Sequence, residues 1–415
     1  MQKMRKMKDS GIEWIGEIPE GWEVGQIGQL YSECRTKVSD KNYPPLSVTM
    51  KGILPQLSTA AKTDAHDDRK LVCKGDFAIN SRSDRRGSCG ISEQDGSISL
   101  INTVLRPRGE MNPGYYNWLF HTSMFADEFY KWGHGIVDDL WTTGWSDMKK
   151  IGVPVPSKCE QKQLAEHLNF ECSNIDAILS KTRSSIEEYK KLKQAVITQA
   201  VTKGVRGEQK MKDSGVEWIG TYPSNWKIIK IKWLLHERKD RSVTGLEEPL
   251  SMSQKKGLIP TKDMDSIPNM ASSFIGAKLV YKGDLVFNKL KAHLGVFSVS
   301  KYNGLVSPDY AVYYSTGPAN LNFLELLFKT PQYINEFKKK SSGVGAGLTR
   351  LYTGDLYSIY CALPPLVEQE EIADYLDIKC TEIDRLIAKK EQLVKELESY
   401  KKSLIYEVVT GKREV

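Results

Sequence analysis

The decapeptide Met7-Lys-Asp-Ser-Gly-Ile-Glu-Trp-Ile-Gly16 returns as Met211-Lys-Asp-Ser-Gly-Val-Glu-Trp-Ile-Gly220, with one change, Ile12 against Val216. Each copy soon reaches a proline and a tryptophan, Pro19 and Trp22 in one and Pro223 and Trp226 in the other. The halves stay in step further on. Pro44-Pro-Leu-Ser47 answers Glu248-Pro-Leu-Ser251, Lys51-Gly-Ile-Leu-Pro55 answers Lys256-Gly-Leu-Ile-Pro260, and Lys74-Gly-Asp76 answers Lys282-Gly-Asp284. A period near 200 residues is a domain duplication, since the units of a solenoid run to about 20 to 50 residues. The chain of 415 residues is therefore expected to fold as one unit made twice.

Each copy ends in a helical pattern. Pro156-Ser-Lys-Cys-Glu-Gln161 leads into Leu164, Ala165 and Leu168, and Pro364-Pro-Leu-Val-Glu-Gln369 leads into Ile372, Ala373 and Leu376. Proline followed by glutamate is helix-start chemistry. A longer helix of about 28 residues, roughly 42 Å, is expected beyond each of these. Its apolar positions are read as a heptad seam: Ile175, Ile178, Thr182, Ser185, Tyr189, Leu192 and Val196 in the first copy, and Ile383, Leu386, Lys390, Leu393, Leu397, Tyr400 and Leu404 in the second. Thr182, Ser185 and Lys390 weaken the seam, which fits two paired helices better than a long fibrous coil. Gly204 and Gly411 stand where the helices should stop. Two homologous helices can pair antiparallel about a pseudo-two-fold axis and so act as a spacer. Successive major-groove faces on one side of B-DNA lie about 34 to 36 Å apart, which suits such a spacer. The expected boundaries are recognition domains at 1–157 and 207–364, with helical regions at 158–206 and 365–415. The fold class expected is mixed α/β (α+β), with two recognition domains in tandem and a coiled-coil spacer of two long antiparallel helices.

Charge is distributed unevenly over this duplication. Residues 1–155 carry 20 basic and 20 acidic side chains, whereas residues 211–363 carry 20 basic and 13 acidic, so the net charge of +7 is concentrated in the second copy. A polyanionic partner is favoured there. No apolar run approaches the roughly 18 residues that span a bilayer, and the basic start Met1-Gln-Lys-Met-Arg-Lys6 is followed by Lys8, Asp9 and Ser10 rather than an apolar export segment. The seven cysteines are scattered with no Cys-x-x-Cys pair, and read as buried thiols in a reducing cytoplasm.

Two stretches carry candidate contact chemistry. Leu279-Val-Tyr-Lys-Gly-Asp-Leu-Val-Phe-Asn288 reads as strand, turn, strand, and is followed by Lys289, Lys291 and His293. The equivalent stretch of the first copy, Asn80-Ser-Arg-Ser-Asp-Arg-Arg-Gly87, supplies Arg82, Arg85 and Arg86. Bases at one position in both copies suit phosphate contact, and arginine also reads guanine bidentately. The second stretch is Lys338, Lys339 and Lys340, then Ser341-Ser-Gly-Val-Gly-Ala-Gly347, then Arg350; it lacks the closing Gly-Lys-Ser/Thr of a nucleotide-binding loop. Its counterpart, Gly133-His-Gly-Ile-Val-Asp-Asp-Leu-Trp141, is acidic, as divergent base reading would produce.

The chain resembles the specificity subunit of type I restriction-modification systems along essentially its whole length. The resemblance rests on the repeated decapeptide, on Gly283-Asp-Leu-Val-Phe-Asn288 through Val306-Ser-Pro-Asp-Tyr310, on Leu351-Tyr-Thr-Gly-Asp355, on Pro365-Leu-Val-Glu-Gln369, and on Val196-Ile-Thr-Gln-Ala-Val-Thr202 with Leu404-Ile-Tyr-Glu-Val-Val-Thr410. It implies two recognition domains reading a bipartite, asymmetric site in double-stranded DNA with an unread spacer, set by helices that also dock two methylation subunits. It implies no cofactor in this chain: S-adenosylmethionine, ATP and Mg belong to the methylation and restriction subunits, in the cytoplasm.

An enzyme is the rival reading. Asn112-Pro-Gly-Tyr115 faintly resembles the Asn-Pro-Pro-aromatic signature of amino-methyltransferases, but it lacks the second proline and a Gly-rich cofactor loop, and reads as a turn. The six histidines form no metal motif, and no cluster of acids with a lysine marks a nuclease, so no catalytic or metal site is expected. A structural adaptor or an RNA binder is the other alternative. Against RNA, Trp14, Trp22, Trp218 and Trp226 sit at repeat-matched positions that look like core.

Overall fold

The computed structural model describes residues 5–56, 66–135, 141–253, 256–266, 273–343 and 349–415. The chain forms two compact units, residues 1–183 with 392–415, and residues 184–391. Each unit repeats the other's elements.

The repeated decapeptide builds a hairpin loop. In the first unit strands Met7–Asp9 and Glu17–Pro19 pair, the Asp9 carboxylate accepts the Gly11 N–H at 3.0 Å, and the Ser10 hydroxyl accepts that of Ile12 at 3.1 Å. Asp213 and Ser214 repeat both bonds to Gly215 and Val216 at 3.1 Å. Gly11 and Gly215 both take φ of 68°, a left-handed conformation that glycine adopts without strain. The two copies keep Asp-Ser-Gly in common because short polar side chains and glycines together close this loop.

Each unit is built on an antiparallel four-stranded sheet. The order is Cys89–Ile91, Phe77–Asn80, Asn102–Pro107, Tyr31–Cys34 in the first and Phe297–Val299, Leu285–Asn288, Tyr310–Ser315, Leu235–Glu237 in the second. Register is shared as well: Phe77 faces Leu105 and Leu285 faces Tyr313. The Lys-Gly-Asp turn does not make a hairpin. It passes the chain from one sheet (Arg69–Val72; Lys278–Val280) into another (Phe77–Asn80; Leu285–Asn288). Gly75 and Gly283 take φ of 89° and 96° there, while Asp76 and Asp284 accept the backbone N–H of Cys73 and Tyr281. Both buried aspartates bind an arginine through two nitrogens, but from different places, strand Asn102–Pro107 in the first unit and the residue after strand Leu235–Glu237 in the second. Arg106 serves Asp76 and Arg238 serves Asp284.

Trp14, Trp22 and Trp226 are buried and Trp218 is half-buried against the core of its unit. Cys34, Cys89, Cys172 and Cys361 are buried, but Cys73 and Cys380 are only partly so and Cys159 is exposed, which corrects the expectation of seven buried thiols.

The helical stretches are single elements, not a short helix followed by a longer one. Lys158–Lys203 and Leu366–Val409 hold 46 and 44 residues, about 69 and 66 Å, because neither contains a proline or glycine to interrupt it. They stop where expected, with Gly204 and Gly411 left-handed at φ of 78° and 70°. Their first turns tie each helix to the body of its unit. Glu160 accepts from the Trp22 indole at 3.2 Å and Glu368 from the Trp226 indole at 3.1 Å. Gln161 accepts the Asn112 N–H and donates to the Pro156 carbonyl, and Gln369 likewise joins Asn320 to Pro364.

The seam needs a correction of one residue. Ile175, Tyr189, Val196, Ile383, Leu397 and Leu404 are buried or half-buried, but Ile178, Leu192, Leu386, Leu393 and Tyr400 are exposed. The alternate positions fall one place later, at Leu179, Ile186 and Lys193 and at Ile387, Val394 and Lys401. Two of these are lysines, whose stems pack while the ammonium groups reach out. Lys401 binds Asp176 at 2.6 Å in the first unit and Lys193 binds Asp384 at 2.6 Å in the second, the same ion pair made by equivalent residues. The pairing is antiparallel within each unit. In the first, Asp176 meets Lys401 and Arg183 meets Glu398; in the second, Tyr189 meets Lys390 and Lys193 meets Asp384.

Candidate nucleic-acid interface

In the second unit the strand Leu285–Asn288 delivers the chain to the basic loop. The Asn288 side chain accepts the Leu290 N–H at 3.1 Å, and a helical turn, Ala292–Leu294, ends at left-handed Gly295. The Lys289 carbonyl accepts the Leu351 N–H at 3.0 Å, which draws the strand Thr349–Arg350 alongside. Helix Pro331–Lys340 packs on the turn Ala292–Leu294 and ends in the exposed lysines Lys338, Lys339 and Lys340. Segments far apart in sequence thus bring Lys289, Lys291, His293, Arg350 and the three lysines onto neighbouring elements. Val344 to Leu348, within the Gly-rich stretch, lies outside the described residues.

Beneath the loop is a charged network that sequence reasoning missed. Lys278 donates to Glu237 at 3.0 Å and to the Tyr310 carbonyl at 2.8 Å, and Glu237 also accepts from the Thr353 hydroxyl at 2.7 Å. Burial opposes ionisation of Glu237, but the bonds from Thr353 and Lys278 and the charges of Lys278 and Lys289 prevail, holding its pKa below the usual range. Lys289 is shifted down, first by burial and then by its neighbour Lys278, with Arg350 adding to the effect. Arg350 pairs with Asp309 at 2.6 Å. Three cations, Lys278, Lys289 and Arg350, thus meet two carboxylates, Glu237 and Asp309. The first unit repeats the arrangement: Lys70 occupies the position of Lys278, donates to the Asn102 carbonyl at 2.7 Å and lies in the field of Glu33.

The first unit uses the same frame with other chemistry. Asn80 accepts the Arg82 N–H at 3.1 Å, and Thr143 donates to the Ser81 carbonyl at 3.0 Å as Leu351 does to Lys289. Ser81 is buried and bonds Thr103, so the frame here carries a hydroxyl pair where the second unit carries an ammonium. Arg82 and Arg85 both approach Asp84, at 3.4 and 3.6 Å. Arg86 binds Asp127 at 2.7 Å and lies 5.3 Å over the Tyr130 ring. These arginines are exposed or half-buried, and their charge is largely balanced. Ile136 to Leu140, in the acidic counterpart loop, lies outside the described residues. Asn112 of the methyltransferase-like tetrapeptide caps helix Pro113–Phe120, accepting the Tyr115 N–H. That is a structural helix start.

Among the described residues no group of His, Cys, Asp and Glu is arranged to hold a metal, and no helix is long and apolar enough to cross a membrane.

No family model matches the chain. It is 24% identical over 96% of its length to a provisionally assigned type I restriction enzyme MjaX specificity subunit of Methanocaldococcus jannaschii, covering 95% of that protein. The type I restriction enzyme MjaVIII specificity subunit of the same organism is 22% identical, with 95% and 93% of the two chains covered. Among solved structures, a chain of a type I R-M system studied for complex assembly and conformational transition superposes with a TM-score of 0.69 at 12% identity, covering 94% of this chain and 98% of that one. The HsdS subunit from Thermoanaerobacter tengcongensis gives 0.54 at 16% identity, with 95% and 98% covered. Along nearly its whole length the chain is similar to specificity subunits of type I restriction enzymes, and it shares the fold of the solved HsdS subunit.

Proposed function

We propose that this chain reads a bipartite, asymmetric site in double-stranded DNA, one half-site per recognition domain, and directs adenine methylation and restriction by partner subunits. The observation that supports this most is the shared frame: two copies of one scaffold hold cationic loops at the same position but differ there in side chain. One scaffold with two chemistries is what reading two different half-sites requires. The recognition domains span 1–157 and 207–364. The helical regions 158–206 and 365–415 set the unread spacer and dock two methylation subunits, with restriction subunits completing the complex. S-adenosylmethionine, ATP and Mg are supplied by those partners, in the cytoplasm. The contacts to DNA are Arg82, Arg85 and Arg86 in the first domain and Lys289, Lys291, His293, Lys338, Lys339, Lys340 and Arg350 in the second.

The test is single-molecule sequencing for modified adenine in DNA from cells expressing this chain with its methylation subunit, beside cells lacking it. A new bipartite methylated motif that depends on the chain is the expected result. Assembly with an active methylation subunit and no motif would overturn the reading.

A further inference from the structure

The strand pair that closes each unit is made identically in the two copies. Glu23–Gln26 pairs with Gly152–Val155, and Lys227–Lys230 with Tyr360–Leu363; Gln26 faces Gly152 where Lys230 faces Tyr360. The next residues also correspond, since Ile27 donates to the Ile151 carbonyl and Ile231 to that of Ile359. On this common backbone four positions differ in kind. Gln26, Gly28, Gln29 and Gly152 of the first unit become Lys230, Lys232, Trp233 and Tyr360 of the second.

The four form two stacked pairs. The Lys230 ammonium lies 5.2 Å from the Tyr360 ring and that of Lys232 lies 4.7 Å from the Trp233 ring. Trp233 is 63% exposed, although a residue of its size is ordinarily highly buried. Lys227 and Lys232 are exposed and Lys230 half so, and no ion pair or side-chain hydrogen bond is made by their ammonium groups among the described residues. In the first unit the Gln29 side chain instead turns back to accept the Gln26 N–H. The helical turn that carries Trp233 packs against helix Thr353–Ser358, which begins three residues after Arg350. That six-residue helix is about 9 Å long, the rise of about three base pairs of duplex.

We propose that Lys230, Lys232, Trp233 and Tyr360 form a backbone-gripping surface for duplex DNA outside the half-site read by the second domain, with no counterpart in the first. The partner follows from charge: unpaired ammonium groups held over aromatic faces complement the phosphates and sugars of a duplex flank, and such contacts position without reading sequence. The proposal rests on the DNA-reading function above and deepens it.

The experiment measures binding of the full chain, assembled with its methylation subunits, to a duplex of about 40 base pairs carrying the methylated motif. The double variant K230Q/K232Q and the single variant W233A are compared with the parent, using duplexes trimmed to the motif at one end or the other. We expect the double variant to bind the full duplex about tenfold more weakly and to lower the salt slope by about 2. Trimming one end, and only that end, should abolish the difference. W233A should weaken binding to the full duplex several-fold with the methylated motif unchanged. Parent-like affinity and salt slope in both variants would overturn the grip while leaving the DNA-reading function intact. So would variants that fail to assemble with methylation subunits yet bind DNA normally, since the face would then dock protein. A parent complex that binds no duplex would sink both readings together.

Discussion

Lys289 shows how one half-buried side chain can couple binding to pH. Burial and the charges of Lys278 and Arg350 favour its neutral form, so its positive charge is lost at a lower pH than that of an exposed lysine. DNA affinity should therefore fall as pH rises through this depressed pKa, before the exposed lysines titrate. Anisotropy titrations between about pH 7 and pH 10 test this, and Lys289→Gln should flatten the profile in that window; an unaltered profile would remove Lys289 from the contact. Glu368 makes a different prediction. Its fully buried carboxylate accepts from Trp226, Asn225 and Gln209, so Glu368→Ala leaves three donors without their partner and should cost about 3 kcal/mol in a denaturant melt. The basic residues were legible as a repeat-matched group. Glu237 and Lys278, the ion pair beneath them, were not, because two charges with ordinary spacing on separate strands give no local pattern.

The paired helices separate seam residues from their neighbours. Leu179 is buried and Ile178 exposed, although both are aliphatic and adjacent. Leu179→Ala should destabilise by about 2 to 4 kcal/mol, whereas Ile178→Ala should stay near about 0.5 kcal/mol, read as shifts in the unfolding midpoint. The opposite ranking would restore the seam expected from apolar spacing alone. Apolar spacing failed here because a heptad template rewards Leu192 and Tyr400, while the fold places Lys193 and Lys401 in the seam and binds their ammonium groups to Asp384 and Asp176. The helix ends were legible. Gly411 is confined by geometry too: a methyl group there would sit 2.4 Å from the Pro19 ring.

For the whole molecule, duplication predicts modular behaviour. Arg350→Ala, with Asp309 left without its partner, should relax one half of the methylated motif and leave the other half unchanged. Methylation sequencing of the variant reads this directly. A change in both halves would mean that the domains do not read separately.

The sequence alone determined that there are two copies, which segments are helical and where the helices stop, because a repeated loop motif, capping residues and left-handed glycines all act locally. It also determined that the second copy is the more cationic. Tertiary structure alone decided which basic residues lie on neighbouring elements in the second copy, which in the first copy are cancelled by Asp84 or Asp127, and which helix face forms the seam. Those outcomes depend on contacts between segments distant in sequence, where burial and partner geometry outweigh spacing along the chain.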